Sequence, residues 1–169
     1  MQNIQFRKYS LQIGTICHIF PDFFSVAYFL IPWFYCIIIL IGCQIASGHG
    51  WEVVAMKNIL FIASEAVPFI KTGGLADVVG SLPKCFDKQY FDVRVMIPKY
   101  LCIKESFRNE MKYVNHFYMD YLGQNRYVGI LEYEYEGVTF YFIDNESYFW
   151  GDRPYGDWYY DLEKFSFFC

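Results

Sequence analysis

The sequence predicts an α/β fold built on a parallel βαβ unit, preceded by a hydrophobic helical segment. Three observations carry this. Asn58 to Ser64 (NILFIAS) is a short Ile-rich run that suits a strand buried on both faces. A glycine-bearing loop and a helical stripe follow it, and a second strand-like run, Phe91 to Ile97 (FDVRVMI), closes the unit. Ahead of the unit, the apolar residues form one long run rather than an alternating pattern.

That run, from Phe23 to Ile41, is interrupted only by Ser25 and Pro32, and no Asp, Glu, Lys or Arg falls between Asp22 and Glu52. Its length can span a hydrocarbon core of ~30 Å as a helix. A membrane-spanning helix over 23–46 is therefore the candidate element, with Pro32 kinking it. Flanking positive charge is too distant to orient it, and the run starts too late for a cleaved signal peptide. The favoured reading is that residues 1–55 are a hydrophobic extension outside the working protein, joined through the small residues of 46–50. On that reading Met56 is the functional start and the protein is cytoplasmic; a real helix would make it membrane-anchored.

Residues 56–169 have the charge and turn pattern of a soluble domain. Within it, Leu75, Val78, Val79 and Leu82 recur at helical spacing, and Pro83 should end or bend that helix. Pro98 closes the second strand. Tyr127–Tyr135 and Val138–Asp144 read as two more strands around a Glu136-Gly137 turn. Glu132, Glu134 and Glu136 alternate with Tyr133 and Tyr135, a solvated face opposite a buried tyrosine face. Residues 145–157 read as loop, and 161–169 as the start of an aromatic helix.

Composition excludes several classes. With 55% hydrophobic and 22% aromatic residues the chain is not disordered. A net charge of −4 argues against nucleic acid and against anionic membrane surfaces as partners. The six cysteines form no CxxC pair, and no Cys or His spacing suits zinc, so the thiols read as free and no metal is expected.

Chemistry points to one place. Ile70 to Asp77 (IKTGGLAD) joins a buried strand to a helix. Gly73 and Gly74 let backbone approach a ligand, the helix N-terminus behind them favours phosphate, and Lys71 adds a positive charge. In a doubly wound sheet this loop lies at the carboxyl end of the first strand, where ligands bind. Asp77, in the helix's first turn, complements its dipole.

The stretch from Met56 to Tyr100, and above all KTGGLADV from Lys71 to Val78, resembles the amino terminus of bacterial glycogen synthases and plant starch synthases. GVTFYFIDNESYF from Gly137 to Phe149, RPYGD and EKFSFF resemble later segments of the same domain. The resemblance covers residues 56–169 and none of 1–55; Tyr90-Phe91 departs from the family's usual Gly-His. It implies a partial Rossmann-like amino-terminal domain of a retaining, GT-B glycosyltransferase. Such an enzyme transfers glucose from ADP-glucose to the non-reducing end of an α-1,4-glucan, with no metal or other cofactor at the chemical step. It further implies that Lys71 contacts the donor phosphates, that Gly73 and Gly74 lie against the diphosphate and sugar, and that Tyr155 lies at the donor site. Catalytic residues are expected beyond Cys169, which makes the chain an amino-terminal fragment, inactive alone. The competing reading is a non-catalytic, membrane-tethered remnant that binds nucleotide or glucan.

Overall fold

A computed structural model describes the backbone of residues 25–31 and 35–43, and residues 56–156 and 158–168. Its first parallel strand is β3, Lys57–Ile62, buried from Asn58 onwards, as a continuous apolar strand should be. It pairs in parallel with β4, Phe91–Pro98, which pairs in parallel with β7, Val138–Asp144. Between β3 and β4 lie helix α1, Gly74–Ser81, and a 3₁₀ turn, Leu82–Cys85, that begins just before Pro83. The expected bend at Pro83 is therefore present. The predicted βαβ unit stands, within a mixed sheet of seven strands in the order β1-β2-β3-β4-β7-β6-β5.

The chain ahead of β3 differs from expectation. Ser25–Ile31 (β1) and Tyr35–Cys43 (β2) are antiparallel strands, and β2 pairs antiparallel with β3 from Ile38↔Ile62 to Cys43↔Lys57. The helix over 23–46 is thus overturned. Pro32 lies between the two strands in sequence, and Ile37, Ile38 and Ile39 are β-branched, which favours a pleated strand over a helix. Among the described residues no helix is long and apolar enough to cross a membrane.

Two further strands were differently placed or unforeseen. β6 runs Gln124–Tyr135, three residues longer at its start than its apolar core suggests, and pairs antiparallel with β7. β5, Lys112–Tyr121, pairs antiparallel with β6 and forms a sheet edge. The β5–β6 and β6–β7 turns are two-residue X-Gly turns with positive φ at each position: Leu122 (53°) and Gly123 (74°), Glu136 (50°) and Gly137 (73°). That is the turn whose twist matches paired strands. Short helices α2, Glu105–Arg108, and α3, Glu146–Phe149, interrupt the loops, and α4 spans Trp158–Phe168.

One sheet face is sealed by a loop residue. Phe69 sits edge-on to Phe107, Phe140 and Phe142 at 4.9–5.0 Å, and to Tyr133 and Tyr135 at 5.7 and 5.9 Å. Tyr133 and Tyr135 therefore lie on the inward face, as the alternation predicts, but are half-buried rather than buried. Glu134 and Glu136 are exposed and Glu132 half-buried; Glu136, in the turn, pairs with Lys84.

The buried face of α1 is rotated from the predicted stripe. Leu75 and Val79 are buried as expected, but Val78 and Leu82 are exposed, and Ala76 and Gly80 face inward instead. The cause is close approach. A Cβ on Gly80 would lie 2.2 Å from Val67 Cγ2 and 2.6 Å from the Val67 carbonyl oxygen, and the Val67 N–H donates to the Ala76 carbonyl at 3.1 Å. Only small residues fit where the loop crosses the helix.

Candidate functional site

The parallel strands end together, and chemistry-bearing residues collect at that edge. The Ala63 N–H donates to the Met96 carbonyl at 3.0 Å, which prolongs the pairing of β3 with β4 by one residue. Beyond it come Ser64 and Glu65, then the loop to Gly73, then α1. Ala66 bridges Ile70, so the loop doubles back on itself, and the Val67–Pro68 peptide within it is cis.

Glu65 organises the glycine loop. It is fully buried, and its Oε2 accepts from both the Thr72 N–H and the Thr72 hydroxyl at 2.6 Å. Its Oε1 is buried without a hydrogen-bond partner among the described residues. Two donors on one carboxylate oxygen fix the residue between Lys71 and Gly73. Both residues lie in the stretch that carries the family resemblance, but the sequence alone assigns neither a site role; Thr72 adjoins the glycine pair and Glu65 lies eight residues before it.

The predicted loop residues are presented to solvent. Gly73 is the N-cap of α1 in an extended conformation (φ −152°, ψ −165°), with no side chain capping the helix. The free N–H groups of the first turn are therefore not taken by a side-chain cap. A Cβ on Gly74 would meet no atom of the described residues within 4 Å, so open space lies beside it. Lys71 Nζ is 2.7 Å from Asp77 Oδ1, and both side chains are about half exposed (54% and 53%). Asp77 thus reaches back to Lys71, beyond the helix-dipole role expected for it.

Tyr155 arrives from the far end of the domain. Its hydroxyl lies 2.5 Å from Ser64 Oγ, and its ring rests on Phe165 at 5.3 Å. The Tyr100 hydroxyl donates to the Ser64 carbonyl at 2.9 Å, and its burial pushes that phenol well above the ordinary tyrosine range. Ser64 therefore joins Tyr155 and Tyr100, while the next residue, Glu65, holds Thr72. In this way the four predicted residues Lys71, Gly73, Gly74 and Tyr155 are gathered about the carboxyl end of β3, the ligand-binding edge of such sheets. Nearby, Lys99 and Asp144, at the ends of β4 and β7, form an ion pair at 3.2 Å.

Among the described residues no group of three or more His, Cys, Asp or Glu is placed to hold a metal ion. Cys85 and Cys102 are free thiols. His116 lies instead in a ring cluster on β5 and β6, stacked on Tyr127 at 5.6 Å.

Residues 58–169 match the family described as the starch synthase catalytic domain. Over 113 residues the chain is 66% identical to a glycogen synthase of Lachnospira eligens, covering 67% of this chain and 24% of that protein. Over 112 residues it is 59% identical to a glycogen synthase of Lachnoclostridium phytofermentans, covering 66% and 23%. The catalytic domain of Starch Synthase IV from Arabidopsis thaliana, bound to ADP and acarbose, superposes with a TM-score of 0.50 at 29% identity, over 63% of this chain and 22% of that one. The chain spans about a quarter of the length of the curated relatives it matches.

Proposed function

Since the chain belongs to the starch synthase catalytic domain family, we propose that it supplies the sugar-nucleotide loop of a cytoplasmic glucosyltransferase, with residues 56–169 as the working part. The reaction moves glucose from ADP-glucose to the non-reducing end of an α-1,4-glucan. The observation that carries this reading is the uncapped N-terminus of α1 behind Gly73 and Gly74, open beside Gly74 and flanked by the exposed Lys71.

The chemistry follows from charge. In the donor, the bond between glucose C1 and the β-phosphate oxygen breaks with both electrons passing to the phosphate. The diphosphate leaves carrying more negative charge than it held as an ester. Groups that meet that added charge lower the barrier. The N–H groups of the first turn of α1 point toward the approach side of Gly73 and Gly74, and a helix N-terminus favours an anion there. Lys71 adds a mobile ammonium. Its pair with Asp77 is half exposed, so separating the two costs little and frees Nζ for phosphate. Tyr155, anchored on Ser64, lines the same edge.

Support for ADP as the nucleotide comes from the starch synthase structure, which was bound to ADP and acarbose. Titrating the ¹⁵N-labelled chain with ADP tests the reading. The Gly73 and Gly74 amide resonances should shift, and the shifts should weaken in Lys71→Ala. Shifts confined to residues away from the end of β3 would refute it.

A further inference from the structure

We propose that the buried Asp161–Lys164 pair on α4 is a positioning device that holds Tyr155 at the sugar-nucleotide site by gripping the backbone on both sides of it. This rests on the reading of the β3 edge as that site.

The geometry is specific. Lys164 is 3% exposed and Asp161 9% exposed, unusual depths for charged residues in a chain of this size. Lys164 Nζ is 2.6 Å from Asp161 Oδ1 and also donates to the Pro154 carbonyl. The other carboxylate oxygen of Asp161, Oδ2, accepts from the Gly156 N–H at 2.9 Å. Pro154 and Gly156 are the two neighbours of Tyr155. The ammonium thus takes the carbonyl ahead of the tyrosine, and the carboxylate takes the amide after it. The Phe165 ring, next to Lys164 on the same helix, supports the Tyr155 ring, with the ammonium 4.9 Å from the Phe165 centroid.

What the grip sets is the direction of one side chain. A loop residue with both flanking peptides free samples many orientations. With both fixed, Tyr155 is left with its two side-chain torsions, and the Ser64 hydroxyl and the Phe165 ring choose among those. Ordering the residue before the ligand arrives removes that cost from binding. A buried ion pair is a poor source of net stability, so its use for orientation explains its presence better than stability does.

The test places 3-fluorotyrosine at position 155 of the 169-residue chain and follows its ¹⁹F resonance, with ADP affinity read from amide shifts. Single removal of either charge strands the other in the interior, so the main variant is the charge-free double Asp161→Asn/Lys164→Met, with circular dichroism as a check on folding. Asp161→Asn alone, which keeps an acceptor for the Gly156 amide, is the second variant. In the parent chain the resonance should be single and narrow, and should move in Ser64→Ala. In the double variant it should shift toward that of free fluorotyrosine and stop responding to Ser64→Ala. ADP affinity should fall roughly three- to tenfold, the worth of about one neutral hydrogen bond. In a Tyr155→Ala background the same double substitution should change ADP affinity less than about twofold, because the pair acts through the tyrosine. An unmoved ¹⁹F resonance in the folded double variant overturns the proposal, as does a single variant that moves it as far as the double does, or an undiminished loss of affinity without Tyr155. If ADP shifts nothing in the parent chain, the nucleotide reading fails, and the ¹⁹F comparison still decides whether the pair positions Tyr155.

Discussion

Two loops meet at the carboxyl end of β3, and they are held in opposite ways. The loop of residues 66–73 has short-range polar contacts, Glu65 on Thr72, the Val67 N–H on Ala76 and Lys71 on Asp77, all within nine residues, while its apolar residue Phe69 packs on distant rings from Phe107 to Phe142. The loop that carries Tyr155 is secured from α4 and from Ser64, a residue 91 positions earlier. The hydrogen bonding of the first is nearly local. The second exists only when the whole domain is assembled. Substitutions in the first should therefore act on local order and ligand contact, and those in the second on how the halves of the domain engage.

The largest expected effect falls on the first loop. Glu65→Ala removes the carboxylate that accepts both Thr72 donors from within the core. Hydrogen bonds to a charged group contribute about 1.5–3 kcal/mol each, and Oε1, which has no partner among the described residues, offsets part of this. Urea unfolding should show a loss of about 2–4 kcal/mol. A change below about 0.5 kcal/mol would show that the loop holds its shape without Glu65.

Next comes the crossing of loop and helix. Gly80→Ala sets a methyl 2.2 Å from Val67 Cγ2 and 2.6 Å from a carbonyl oxygen that cannot move freely. Overpacking of this kind costs about 1–3 kcal/mol. Gly74→Ala is the matched control, since its methyl meets no atom of the described residues within 4 Å. Thermal melts should separate the two glycines, with Gly74→Ala within a degree or two of the parent; equal losses at both would refute the assigned contacts.

These two glycines also show what the sequence could and could not reveal. The spacing Leu75, Val78, Val79, Leu82 pointed to a helix and to its length, but not to its buried face, because Val67 crosses at Ala76 and Gly80 and small residues carry no hydrophobic signal. The strand, glycine loop and helix were legible because their determinants lie within some twenty residues. The apolar run of 23–41 misled for a related reason. Length and hydropathy favour a helix, whereas Pro32 and the three consecutive isoleucines from Ile37 mark two strands, and periodicity cannot arbitrate in a run without polar residues. β5 escaped because its first half, Lys112 to His116, is exposed and carries no apolar alternation; the alternation of Phe117, Met119 and Tyr121, which face the core, and the Leu122-Gly123 turn were its available signals. The anchoring of Tyr155 on Ser64 was not legible, since nothing in the sequence links positions 64 and 155.

The second loop should respond more mildly. Ser64→Ala removes one hydroxyl contact with Tyr155 and leaves the Ser64 carbonyl to Tyr100 intact. A neutral hydrogen bond contributes about 0.5–1.5 kcal/mol, so unfolding free energy should fall by about 1 kcal/mol. Hydrogen exchange should quicken at Gly156, in the Tyr155 loop, and stay unchanged at Thr72, in the glycine loop. Faster exchange at both amides would mean that the two loops are one unit, and the contrast between them would fail.

The smallest effect on stability is expected at Lys71, and it separates binding from folding most sharply. The Lys71–Asp77 pair is short, but each side chain is half exposed, and such pairs contribute roughly 0–1 kcal/mol. Lys71→Ala should leave the unfolding midpoint almost unmoved. A ligand diphosphate changes the balance, because it brings more negative charge than Asp77 and an ammonium contact to it is worth about 1.5–3 kcal/mol. ADP affinity should therefore drop roughly ten- to a hundredfold in Lys71→Ala. Asp77→Asn frees the ammonium from its carboxylate, so it should leave ADP affinity equal or raise it slightly. Lys71→Arg should restore only part of the loss, since a planar guanidinium does not replace a compact ammonium on a flexible stem. Added salt offers a further check: the difference between parent and Lys71→Ala should shrink as ionic strength rises, because the contact lies at the surface. If Lys71→Ala lowers stability but leaves ADP affinity within about twofold, Lys71 serves the turn alone, and the phosphate contact assigned to it is wrong.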